Sequence, residues 1–279
     1  SCKICLTGKN QDQEGQAFCL PCTPGKYNNE NGTATCKECA KGRSSATEAR
    51  TNICDNCIQG RRQSNLGSTT CLDCIPGKYQ TETEKQECND CEIGRASSNT
   101  GEQNNCEICE EGKYQNDQGN TLCLACIPGK YQTEAEQIDC IDCGVGRYAE
   151  TAVTKDNCKR CDKGEYQPNA GSTSCLACLP GSHQKHKEQI NCIECGVGRY
   201  SETAGTQGDC TRCNKGEYQP DEGATSCLSC IPGQYQSQPG QTSCTECEVG
   251  RASSDVGNEK ECDTCLGGNY QPELGATTC

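Results

Sequence analysis

The sequence predicts a small disulfide-rich fold: an elongated, solenoid-like rod of irregular chain and short β-hairpins. Its units are about 17 residues long and group into 52-residue super-repeats. Three observations carry this. Cysteine supplies 33 of 279 residues, about 12%, which is above the level that marks a disulfide scaffold. Leu, Ile, Val and Phe together number 29, and Trp and Met are absent. So few apolar side chains cannot offset backbone entropy by burial. Finally, the stretch CIPGKYQTE at Cys74–Glu82 recurs letter for letter at Cys126–Glu134, so the chain is periodic.

The cysteines must therefore supply the order, through covalent staples or metal. Staples imply an oxidising compartment, hence an extracellular or cell-surface protein. No apolar run approaches the ~20 residues that cross a bilayer, so no membrane insertion is expected in this segment. The chain opens on Ser1 without a signal peptide and reads as a mature or excised portion of something longer. A net charge of −13 with no basic run argues against nucleic acid, which wants clustered Lys and Arg.

The C-x-x-C pairs begin at 2, 19, 36, 54, 71, 88, 106, 123, 140, 158, 175, 192, 210, 227, 244 and 262, and Cys279 opens the next. The steps run 17, 17, 18 without a slip. One continuous array over 1–279 thus divides into super-repeats 2–53, 54–105, 106–157, 158–209 and 210–261 with a partial 262–279. With the first Cys of each unit as position zero, position six is Gly throughout, from Gly8 to Gly268. That suggests a turn at φ > 0 or a close backbone approach. Position eight carries every Tyr of the protein, and position thirteen is usually Gly.

Three unit types alternate. The type starting at Cys19 has Leu next and Pro before the Gly, as in Leu72 and Pro76 or Leu124 and Pro128. The type starting at Cys36 has 18 residues and always places Arg after the Gly: Arg43, Arg95, Arg147, Arg199 and Arg251. The type starting at Cys2 carries Gln at position nine: Gln11, Gln63, Gln115, Gln167, Gln219 and Gln271. No helical periodicity is visible, and each unit reads as a short hairpin or pair of turns.

The pattern C-x-x-C-x-x-G-x-Y, a Gly five residues on, then the next C-x-x-C, resembles the ephrin-receptor-like cysteine-rich repeat. It is more distantly similar to tumour necrosis factor receptor modules. The resemblance spans the whole chain and implies an elongated, disulfide-laddered rod. Such repeats occur in receptor ectodomains and in large extracellular proteins, many from protists. The strict three-unit order departs from the family, and no kinase or ligand-binding segment accompanies it.

Zinc is the rival to disulfides, because C-x-x-C pairs thirteen residues apart are a respectable zinc spacing. Zinc groups units in twos, however, whereas this sequence groups them in threes, and about eight ions per chain would be needed. A crossed disulfide rule, first to first and second to second, also forces twos. The simple rule joins the second Cys of one unit to the first Cys of the next and leaves only Cys2 over. It gives Cys5–Cys19, Cys22–Cys36, Cys39–Cys54, Cys57–Cys71, Cys74–Cys88, Cys91–Cys106, Cys109–Cys123 and Cys126–Cys140. It continues with Cys143–Cys158, Cys161–Cys175, Cys178–Cys192, Cys195–Cys210, Cys213–Cys227, Cys230–Cys244, Cys247–Cys262 and Cys265–Cys279. Each closed loop of about 15 residues is worth about 3 kcal/mol in the chain-entropy model.

No catalytic, cofactor or metal constellation stands out, and the protein is read as a non-enzyme. His183 and His186 lack a third ligand; His183 takes a Tyr position and reads as a substituted surface residue. The Tyr set reads as structural packing on the disulfides, with a carbohydrate-binding ladder as its alternative. Scattered carboxylates lack the spacing of an EF-hand. Asn31-Gly32-Thr33 is a glycosylation sequon. The expected function is structural: a segment of a fibre, surface coat or flagellar-hair-like appendage, whose partners are copies of itself, other fibre subunits or glycans. The alternative is a receptor or adhesion stalk for a protein or carbohydrate. If successive units turn by about a third of a circle, like units align. The Leu/Ile/Pro residues Leu72, Ile75, Pro76, Leu124, Ile127 and Pro128 then form one stripe, and the five arginines form an assembly stripe.

Overall fold

A computed structural model describes residues 2–151 and 158–279. The last six positions of the 106–157 super-repeat lie outside the described residues. The described elements are two-residue strands in two-stranded antiparallel hairpins, with no helix among them. Two compact units are present: Ser1–Cys126 with Gln132–Cys140, and Ile127–Tyr131 with Ile141–Cys279.

In the first unit the hairpins never close within one sequence repeat. Lys78–Tyr79, at positions seven and eight, pairs with Asn89–Asp90, at positions one and two of the next repeat. The disulfide Cys74–Cys88 closes the intervening loop with 5.8 Å between Cα atoms. The chain turns at Ile75-Pro76-Gly77-Lys78, where Lys78 N–H donates to Ile75 C=O at 3.0 Å. Pro fixes φ at the first central position, and Gly77 takes φ of +80° at the second, the type II arrangement. Gly77 then docks both of its backbone groups on the next repeat. Its N–H donates to Ser97 C=O at 2.7 Å, and its C=O accepts from Cys91 N–H at 2.9 Å. A Cβ at Gly77 would run into the carbonyl oxygen of Gly119, two repeats on. Position six is glycine for two independent reasons, a left-handed φ and a neighbouring backbone at contact.

The second unit repeats this construction. Gly181 donates to Ser201 C=O and accepts from Cys195 N–H, both at 2.8 Å, and it faces the carbonyl of Gly223. Arg199–Tyr200 pairs with Thr211–Arg212 across Cys195–Cys210.

The sixteen disulfides run from Cys5–Cys19 through Cys126–Cys140 in the first unit and from Cys143–Cys158 through Cys265–Cys279 in the second. Each joins the second Cys of one repeat to the first Cys of the next, with Cα atoms 5.5 to 5.8 Å apart. Cys2 is free and exposed.

The interior is unusual in kind. Among the described residues the buried apolar ones are cystine residues and Ala96, Ala149 and Ala252, with no Leu, Ile, Val or Phe. Apart from His183 and Asn258, the buried polar side chains sit at position nine. Gln63, Gln80, Gln115 and Gln132 are buried in the first unit, and Gln167, Gln184, Gln219 and Gln236 in the second. A buried amide costs free energy unless it is hydrogen-bonded, and these are. Gln115 Nε2 donates to Leu122 C=O at 2.7 Å, and its Oε1 accepts from Asp117 N–H at 3.1 Å. Its backbone adds a donor bond to Gln137 and an acceptor bond from Gly94. One side chain thus closes its own loop, while its backbone ties the repeats before and after.

Candidate interaction surface

The aliphatic side chains that a core would normally bury lie outside. Leu20, Leu72, Leu124, Leu176 and Leu228 are 45%, 47%, 46%, 45% and 47% exposed. Ile75, Ile127, Leu179 and Ile231 follow three residues further on and are more exposed still. Position one carries the Leu, and the strand there pairs with the preceding repeat, as in Tyr131 opposite Ile141. The strand fixes the side chain's direction and leaves its outer half to solvent. Within each unit the chain therefore offers equivalent apolar contacts every 52 residues.

The five arginines of the 18-residue repeats are engaged inside the chain. Nη1 donates to the carbonyl of the next first Cys in every copy: Arg43 to Cys54, Arg95 to Cys106, Arg147 to Cys158, Arg199 to Cys210 and Arg251 to Cys262. In the 17-residue repeats the position-nine Gln takes the carbonyl one residue earlier, as Gln63 takes Thr70 and Gln115 takes Leu122; here the guanidinium takes the Cys carbonyl itself. Arg43 also pairs with Glu84 at 2.6 Å, Arg95 with Glu136 at 2.5 Å, and Arg147 with Glu188. Those three glutamates stand at position thirteen with φ of +61°, +61° and +63°, where most repeats have glycine. A side chain in the left-handed region costs about 1–2 kcal/mol, so the carboxylate is held there at the expense of local strain. The five arginines, expected as an assembly stripe, close loops within their own chain, and three of them also bridge repeats.

The other candidate residues are also placed. Tyr131 packs on Cys143, Ala149 and Cys158, the cystine edge of the next repeat. His183 occupies the same position and is buried rather than at the surface. Position eight faces the next repeat, and there the imidazole is covered. Its Nδ1 has no hydrogen-bond partner among the described residues, and no group of three metal-ligating side chains occurs among them. His186 is exposed. Asn31 is exposed, and its Oδ1 accepts from Thr7 N–H at 3.0 Å. No helix of the described residues is long and apolar enough to cross a membrane.

Three carboxylates are held below their ordinary range; one is Asp209, lowered by the side-chain hydrogen bond from Lys185. Asp55 is lowered by the side-chain hydrogen bond from Arg50. Glu102 is lowered by Asn99 first, then by the backbone N–H of Asn104 and, more weakly, by Ser97 and Gln103. The Asp55 and Glu102 bonds are local loop closures. Position nine was legible in part: its recurring Gln was recognised only in the repeats starting at Cys2. The Gln at the same position in the repeats starting at Cys71, Cys123, Cys175 and Cys227 is a signal the sequence also contains.

Residues 150–189 and 204–247 match the family described as tyrosine-protein kinase ephrin type A/B receptor-like. No curated protein matches the chain. The matched spans have the cysteine spacing, hairpin register and disulfide pattern of the repeats around them, and these are features of a non-catalytic module of the extracellular type. These two spans are ephrin-receptor-like cysteine-rich repeats, and the sixteen disulfides in one repeated pattern fit a protein built of such repeats.

Proposed function

We propose that the chain is a structural segment of an extracellular fibre, coat or appendage that packs laterally on copies of itself or on other subunits. The supporting observation is the exposed aliphatic row with near-constant exposure at Leu20, Leu72, Leu124, Leu176 and Leu228. Exposed apolar area in a soluble chain is a liability unless something covers it. Repetition at one fixed sequence interval suits a partner that is itself periodic. The arginines contribute to the shape of this surface and not to its pairing, because their donors are engaged within the chain.

Negative-stain imaging and sedimentation of the native protein over a range of concentrations test this. The expected result is lateral association that disappears in the triple variant L72K/L124K/L176K with the disulfides intact. Isolated particles at every concentration would defeat the reading. A second reading, a receptor or adhesion stalk, is favoured by one observation: a groove of about 670 Å³ beside Ala96, larger than those beside Ser44 and Arg62.

A further inference from the structure

Position eight borders the cystine of the next repeat, and in three repeats of the first unit a groove lies beside it. Where it is Tyr131, the ring packs on the cystine of the following repeat. Four repeats of the first unit carry other residues there, namely Asn10, Ser44, Arg62 and Ala96, and a groove lies beside each of the last three. Each groove reaches the equivalent sulfur, that of Cys71, Cys88 or Cys123. The Ser44 hydroxyl stands 3.2 Å from Cys71 Sγ, so the position-eight side chain points at this sulfur even when it is short. The groove volumes are about 670 Å³ at Ala96, 330 Å³ at Ser44 and 230 Å³ at Arg62. They shrink as the side chain grows, as expected if the side chain is what fills the space.

We propose that the groove beside Ala96 receives an aromatic side chain of a protein partner, next to a cationic residue, in the place a tyrosine takes in the other repeats. Its volume lies in the range of specific ligand sites, about 300–1,000 Å³. Ile108 and Leu122 supply apolar walls, and the Cys123 sulfur is a polarizable surface that suits a ring edge. Glu107 and Glu110 line the same groove with Lys113, so two carboxylates face one ammonium and the rim favours an incoming positive charge. The proposal rests on internal equivalence between repeats and is independent of lateral assembly.

The test uses the full oxidised chain, labelled with ¹⁵N, and three capped dipeptides: N-acetyl-Lys-Tyr-amide, N-acetyl-Glu-Tyr-amide and N-acetyl-Lys-Leu-amide. The Lys-Tyr peptide should give saturable amide shifts at Ala96, Lys113 and Leu122. Glu-Tyr should bind more weakly, and Lys-Leu should not saturate. The variant Ala96→Tyr should abolish the shifts. Tyr131→Ala should create a new saturable set at Cys143 and Ala149, a gain that a misfolded variant does not mimic. Absence of saturation with Lys-Tyr, equal shifts with Lys-Leu, or shifts that persist in A96Y would overturn the site. Equal binding of Glu-Tyr and Lys-Tyr would overturn the cationic part.

Discussion

Two adjacent loops of the first unit solve one problem in different ways. The loop closed by Cys109–Cys123 spans a separation of 14 and holds Gln115; the loop closed by Cys91–Cys106 spans 15 and holds Ser97 at the same position. Gln115 alone bridges Leu122 C=O and Asp117 N–H with a neutral amide. The serine is too short for this. Its work is divided: Ser97 Oγ bonds Glu102 at 3.3 Å, Asn99 Nδ2 bonds Glu102 at 3.1 Å, and Arg95 takes the Cys106 carbonyl at 3.0 Å. One inserted residue replaces a single neutral closure by a network with two charged members. The first loop should thus be indifferent to pH and salt, and the second should respond to both.

The largest expected effect comes from cutting the staples. C91S/C106S and C109S/C123S should each lose about 3 kcal/mol in the chain-entropy model. Hydrogen exchange should show the serine loop fully open, while the glutamine loop keeps protection near Gln115. Equal opening of both loops would show that the amide adds nothing to closure. An intermediate effect is expected from Gln115→Ala, which removes the hydrogen bonds to the Leu122 carbonyl and from the Asp117 N–H, at a cost of about 1–3 kcal/mol. Ser97→Ala should cost about 1 kcal/mol or less, since its partners keep other bonds. Denaturant unfolding of the two variants measures the gap, and a reversed order would break the comparison.

The smallest effect sharpens it. Glu102 is depressed chiefly by its hydrogen bond from Asn99. A carboxyl whose folded pKa lies below its unfolded value contributes stability above the unfolded pKa, and that contribution is lost as pH falls through the folded value. Acid should therefore loosen the 91–106 loop before the 109–123 loop. Asn99→Ala should move the Glu102 titration up toward the ordinary carboxylate range. Carbon-13 titration of the side-chain carboxyls follows this directly; a Glu102 titration that does not move in the variant would remove the hydrogen bond as its cause.

Much of this architecture could be read before any coordinates. Recurrence of Gly at position six implied a left-handed turn or a close approach, and Gly77 has both. Pro76–Gly77 spelled its own turn, and the cysteine spacing set the unit length and the hairpin class. The interior could not be read the same way. Reasoning from composition searches for apolar residues to bury, and here Leu72 and Leu124 lie outside while Gln80 and Gln132 lie inside. The inward bonds of the arginines were hidden for a related reason. A regular row of charges looks like a surface feature, yet the acceptor that explains Arg95, the Cys106 carbonyl, is met only once the loop is folded. His183 erred in the same direction, as a polar residue assigned outside and found covered.

The way the disulfides are chained has a mechanical consequence. A pull along the backbone enters a repeat at its first Cys, passes to its second, and crosses the sulfur–sulfur bond to the next repeat. The intervening loop carries no tension. Even with every hydrogen bond broken, one oxidised repeat extends only by three peptide steps plus a bridge of 5.5 to 5.8 Å, about 16 Å in all. A reduced repeat would pay out all 17 residues, about 60 Å. The oxidised chain is in effect a tether with a hard stop, nearly inextensible under load, and its reach under force is set by the redox state of its surroundings.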